Sequence, residues 1–113
     1  MSVKFYESSM YMDVSSGIGE RESVLANIAF DSACAHSFIQ SKFINLLNIE
    51  IIRTDIVIIS SVSEEKRTKS MDLVKVFIAQ KDLQIPIYCY VADHLFNDVD
   101  IVVGANHRYD FRL

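Results

Sequence analysis

Asp31 closes the apolar run Val24 to Phe30 and is followed by Ser32, Ala33, Cys34 and Ala35 in the stretch FDSACAHSFI. A lone carboxylate at the end of a strand, with small residues after it, has the type and place of a general acid or base. The same pattern also suits a turn or a helix cap, because an Asp side chain readily bonds its own backbone. The residues of this stretch alone favour the turn or cap over the catalyst.

Other residues could do chemistry, and each also has a plainer use. Cys34 and His36 stand two apart, with Cys89, His94 and His107 elsewhere, but this spacing matches no standard zinc pattern and no metal is expected. Cys34 between Ala33 and Ala35 reads as a small hydrophobe rather than a nucleophile. Gly17 and Gly19 lack the residues that make a phosphate loop. The charged run EEKRTK reads as a solvated hairpin tip before it reads as a docking surface.

The elements that must position Asp31 follow from periodicity and turn chemistry. Val3 to Val14 and Ser23 to Phe30 are rich in β-branched and aromatic residues, and SSGIGE between them carries turn residues, which predicts a hairpin. In SKFINLLN, the spacing of Phe43, Ile44, Leu46 and Leu47 predicts one short helix, with Ser41 or Ser37 available as its cap. IEIIRTDIVIIS and MDLVKVFIAQ predict a long second hairpin whose tip is SVSEEKRTK. LQIPIYCYVAD predicts a further strand, with Pro86 at an edge or bulge. The short apolar run IVVGAN predicts a central strand, and HRYDF a closing helical turn. Leu25, Ile28, Phe30, Phe38, Leu46, Leu47, Val74, Val76, Ile87, Val102 and Val103 are the expected core. The class is mainly β with one or two short helices.

Composition bounds the rest. The 113 residues suit a single domain, residues 1–113, and half are hydrophobic, enough to bury a core. A formal charge of −4 argues against direct nucleic-acid binding. Two cysteines make no disulfide framework, and the first residues lack a signal-peptide pattern, so an intracellular site, cytoplasmic or nuclear, is expected. No apolar run approaches the roughly 20 residues of a membrane helix, so no membrane partner is expected.

An apolar strand ending in Asp-Ser, a small pair, Ser-Phe-Ile and a short helix resembles the active-site loop of the retroviral-type aspartic proteases, the retropepsins. The tail YVADHLFNDVDIVVGANHRYDF sharpens the likeness and is similar to the peptidase domain of Pao/BEL-type retrotransposons. The resemblance implies a closed β fold and no cofactor. It also implies a homodimer in which Asp31 of each copy shares one proton, since two carboxylates so close cannot both ionise. Ser32 then bonds across to the partner loop. The expected interface is Ser32, Cys34, Tyr109, Phe111 and Leu113, with a protein or peptide as further ligand.

The chain departs from the family pattern in three places. Ala33 replaces a Gly, so that its Cβ either meets a forbidden dihedral or projects into substrate space. The flap tip, Ser61, Val62, Ser63, Glu64 and Glu65, has no glycine with which to lie close on a peptide. Asn106 stands where an Asp is usual, a change that bears on structure more than on chemistry. The expectation is therefore a retrotransposon-derived, catalytically degenerate domain, a pseudoenzyme that acts as a homodimerisation or interaction module. The alternative is an active homodimeric aspartic endopeptidase.

Overall fold

Alternation of inward and outward side chains shapes much of the sheet of this chain, whose computed structural model describes residues 9–17, 22–60, 66–107 and 109–111, while the central β-strand Ile101–Val103 is buried throughout. In chain order the strands are β1 (Met10–Ser15), β2 (Val24–Phe30), β3 (Ser37–Gln40), β4 (Ile51–Ser60), β5 (Lys66–Gln80), β6 (Leu83–Ala92) and β7 (Ile101–Val103). One short helix, α1 (Lys42–Leu46), follows β3, and single 3-10 turns cover Phe96–Asp98 and Ala105–His107. The sheet runs β1-β2-β7-β3-β6-β5-β4, and a further pairing of β1 with β5 closes it into a barrel.

Both expected hairpins form, although residues 3–8 of the first expected strand and 18–20 of its turn lie outside the described residues. β1 and β2 pair antiparallel from Met10 opposite Ile28 to Val14 opposite Val24. β4 and β5 pair antiparallel from Ile51 opposite Val74 out to Ser60 opposite Lys66, so β5 begins inside the stretch expected as the tip. β6 joins β5 only from Leu73 onward. The outer part of the β4–β5 hairpin is thus a two-stranded arm, and Ile56, Ile58, Thr68 and Ser70 on it are exposed. The residues expected at its tip, Ser61 to Glu65, lie outside the described residues.

Core membership follows the pleat. Val14, Ile28, Ile39, Val74, Val76, Ile78, Ile87 and Ile101 are fully enclosed, and Phe43 and Leu47 of the α1 region pack on the same cluster. Two expected core residues are corrected. Leu25 is 63% exposed, because Ala26 and Ile28 take the inner face of β2 and the period of two turns Leu25 outward. Leu46 is 57% exposed, because Phe43 and Leu47, four apart, form the buried face of α1. Phe30 and Phe38 are half-buried. The helix cap is also corrected. Ser41 precedes α1 without a side-chain cap bond, and Ser37 belongs to β3.

Pro86 lies where β6 is locally an edge, as β3 pairs with β6 only from Cys89 onward. Tyr88, two residues later, turns its N–H and C=O away from β5. His107 Nε2 accepts its amide at 2.9 Å and Asn106 Nδ2 donates to its carbonyl at 3.4 Å. Pro86 shares that orientation, so its missing N–H costs no ladder bond. With Nε2 accepting, the His107 proton resides on Nδ1 and is donated to Asp110 Oδ2 at 2.7 Å.

Candidate active site

β2 and β7 lie parallel, with Ile28 opposite Ile101 and Phe30 opposite Val103, and their C-terminal ends carry the two loops of the site. The Asp31 amide continues the pairing by donating to the Val103 carbonyl at 3.0 Å. The chain then turns sharply, with the Cys34 amide on the Asp31 carbonyl at 3.1 Å. Cys34 in turn accepts the Ala105 amide at 2.7 Å, which stitches the loop after β2 to the loop after β7. Gly104 makes this approach possible. A Cβ there would stand 2.2 Å from the His36 carbonyl oxygen and 2.7 Å from that of Cys34, both rigid backbone atoms.

Asp31 is 5% exposed, and both of its carboxylate oxygens are engaged. Oδ1 accepts the Ala33 amide at 2.9 Å, an Asx turn, and Oδ2 accepts the Cys34 thiol at 3.2 Å. The plain use of Asp31 as a turn residue and its use as a held carboxylate are therefore combined in one loop. Burial pushes the Cys34 thiol up to about 12, and the hydrogen bond to Asp31 and its charge add to the rise. The thiol stays protonated and serves as a donor, which removes it as a nucleophile. Cys89 is enclosed between strands, where burial raises its thiol too.

Ala33 is exposed, and its backbone avoids the left-handed region. The non-glycine residues at positive φ among those described are Asn48, Lys81, Asn97 and Asp98. The forbidden-dihedral consequence of replacing Gly at this position is thus absent, and the amide that holds Asp31 is intact. Ser32 is exposed beside it. Of the other expected interface residues, Cys34 is half-buried in its own loop and Tyr109 is 83% exposed. Phe111 instead turns inward. It is 7% exposed and packs edge-on against Phe30 with ring centroids 5.2 Å apart, so it is committed to the core of its own chain. Leu113 lies outside the described residues.

One supporting residue, Ser37, was missed as part of the site in the sequence. Ser37, fully buried, accepts the Gly104 amide at 2.9 Å and donates to Asn106 Oδ1 at 2.7 Å, tying the loop after β7 to the start of β3. Asn106 thereby anchors the loop after β7 on β3. A small polar residue between His36 and Phe38 at a strand start was the available cue. Beside the loop, a cleft of about 420 Å³ is lined by His36, Ile52, Arg53, Leu73, Tyr88, Tyr90 and Asn106. Across it Tyr90 donates to Asp55 Oδ2 at 2.7 Å, and Arg53 Nε lies 3.0 Å from the same carboxylate. Among the described residues, no three His, Cys, Asp or Glu gather as metal ligands.

This arrangement of strand ends has counterparts among known proteins. The family model described as Ty3 transposon peptidase matches residues 18–111, which include both loops of the site. The chain belongs to the Ty3 transposon peptidase family. Its fold is retropepsin-like, a closed β structure with short helices. A solved structure of EIAV protease in complex with the inhibitor HBY-793 superposes with a TM-score of 0.63 at 15% identity, covering 97% of this chain and 91% of that one. No curated protein matches the chain. The match places the domain with the retrotransposon and retroviral peptidases and does not extend to the Pao/BEL detail read from the tail.

Proposed function

We propose that the domain is a homodimeric aspartic endopeptidase in which Asp31 of one copy and Asp31 of the other share one proton about a water. One carboxylate takes a proton from the water as it attacks the peptide carbonyl, and the protonated one stabilises the developing oxyanion and then supplies a proton to the leaving amine. A chain with one such loop supplies one such Asp, so the second comes from a second copy. The observation that carries this reading is the held carboxylate itself. Asp31 is nearly buried at the joint of β2 and β7 with a donor on each oxygen. Burying a carboxylate is costly unless its bonds are made, and a plain turn needs only one of the two.

A second reading, an interaction module that dimerises without cleaving, is favoured by the exposed Ala33 methyl at a position that resembles the family's Gly. Incubation of the full chain with a mixed peptide library between pH 4 and pH 7 separates the two. The endopeptidase reading expects cleavage that Asp31→Asn abolishes and a pepstatin-type inhibitor blocks. A parent protein that sediments as a dimer and cleaves nothing would establish the module instead. Ser32, exposed beside Asp31, supplies the control for assembly. Ser32→Arg is expected to leave the fold intact and shift sedimentation to monomer, with loss of any cleavage. A parent that stays monomeric at high micromolar concentration would exclude both readings.

A further inference from the structure

We propose that Cys34 is a positioning residue for Asp31, its thiol proton holding the second carboxylate oxygen in the orientation that the shared-proton chemistry uses. The inference rests on the endopeptidase reading and adds a residue that the proton-sharing scheme does not include.

Three observations converge on it. The carboxylate is gripped at both oxygens from two different atoms, Ala33 N on Oδ1 at 2.9 Å and Cys34 Sγ on Oδ2 at 3.2 Å, so rotation of the carboxylate plane breaks one bond or the other. Cys34 is itself anchored on both sides, its amide on the Asp31 carbonyl and its carbonyl on the Ala105 amide, so the thiol approaches from a fixed direction. The side chain packs beside Ala29, Val99 and Val102, which limits the rotamers open to it. A thiol kept protonated by these surroundings can only donate to a carboxylate. A mere space-filling role needs no proton donor at this position.

The substitutions Cys34→Ala and Cys34→Ser separate these roles. With the full chain, Cys34→Ala is expected to lower kcat about tenfold with KM unchanged, since one charge-assisted hydrogen bond is lost at the reacting group. Cys34→Ser, which restores a donor, is expected to recover most of the rate. An Ala variant as active as the parent overturns the proposal.

A second measurement does not depend on turnover. The S–H stretching band of Cys34, identified by its disappearance in Cys34→Ser, is expected to move to higher frequency in Asp31→Asn, where the acceptor is neutral. The Cys89 band, from a thiol inside the barrel, is expected to stay in place. A Cys34 band that ignores Asp31→Asn overturns the proposal even in an active enzyme. If the parent cleaves nothing, the endopeptidase reading fails, and the band alone decides whether the thiol holds the carboxylate.

Discussion

The Ser37 hydroxyl donates to Asn106 Oδ1 at 2.7 Å while it accepts the Gly104 amide at 2.9 Å, so one fully buried side chain ties the start of β3 to the loop after β7. Removing it leaves a buried N–H without its partner, which costs the desolvation of that group. Ser37→Ala is expected to destabilise the fold by about 1–3 kcal/mol, read as a lowered urea midpoint with an unchanged slope. A midpoint equal to the parent's would show that the tie is dispensable.

Gly104 is required by space. An added Cβ meets the His36 and Cys34 carbonyl oxygens at 2.2 and 2.7 Å, and neither backbone atom can rotate away. Gly104→Ala is expected to cost at least about 1–3 kcal/mol, the range of overpacking, and to loosen the loop that holds Asp31. Thermal melting and amide exchange at Ala105, whose N–H bonds the Cys34 carbonyl, report the two effects. Unchanged exchange at Ala105 would refute the linkage.

Leu46 and Leu47 are adjacent in sequence and opposite in environment. Leu47 is buried among Phe43 and its neighbours, while Leu46 is solvated. Leu47→Ala is expected to cost roughly 2–5 kcal/mol. Leu46→Ala is expected to fall within about 0.5 kcal/mol of the parent. Equal losses in chemical denaturation would contradict the placement of α1.

The hairpin is tethered to the barrel through Tyr90 and Asp55. The hydrogen bond to Asp55 raises the Tyr90 phenol above its ordinary value, and the same bond, together with Arg53, lowers the Asp55 carboxyl. A phenol raised in the folded state contributes stability that is full below the unfolded value near pH 10 and lost as pH rises through the folded one. The Asp55 contribution is present above the unfolded carboxyl value and lost as pH falls through the depressed one. Ultraviolet titration is expected to place Tyr90 above the ordinary tyrosine value, and Asp55→Asn to return it towards that value. A Tyr90 midpoint indifferent to Asp55→Asn would mean that the tether does not form.

Phe111 shows where a sequence reading and a tertiary contact part. Its place near the chain end, with the family resemblance, suggested an interface residue, yet its ring docks on Phe30, more than seventy positions away. Removal of Tyr109 to Leu113 would therefore disturb the core of a single chain as well as any contact between chains. Ser32→Arg is the cleaner test of assembly because Ser32 touches solvent.

The sequence by itself determined six of the seven strands, the short helix, the two hairpins and the place of Asp31; β3, Ser37–Gln40, was missed because four residues leading into a helix carry too short a pattern to mark a strand. Alternating apolar residues, turn residues and helical spacing are local signals that act over a few positions. Pro86 was legible for the same reason, since a missing N–H restricts it whatever the rest of the chain does. Leu25 and Leu46 were not, because an apolar residue has no local mark that tells it which face the barrel will enclose. Only the tertiary structure decided that Asp31 is gripped at both oxygens, that Ala33 fits without positive φ, that Ser37 ties β3 to Gly104 and Asn106, and that the Ala105 amide joins the two loops. These relations depend on β2 and β7 lying parallel with their ends side by side. That pairing spans more than seventy residues and is set by closure of the whole sheet.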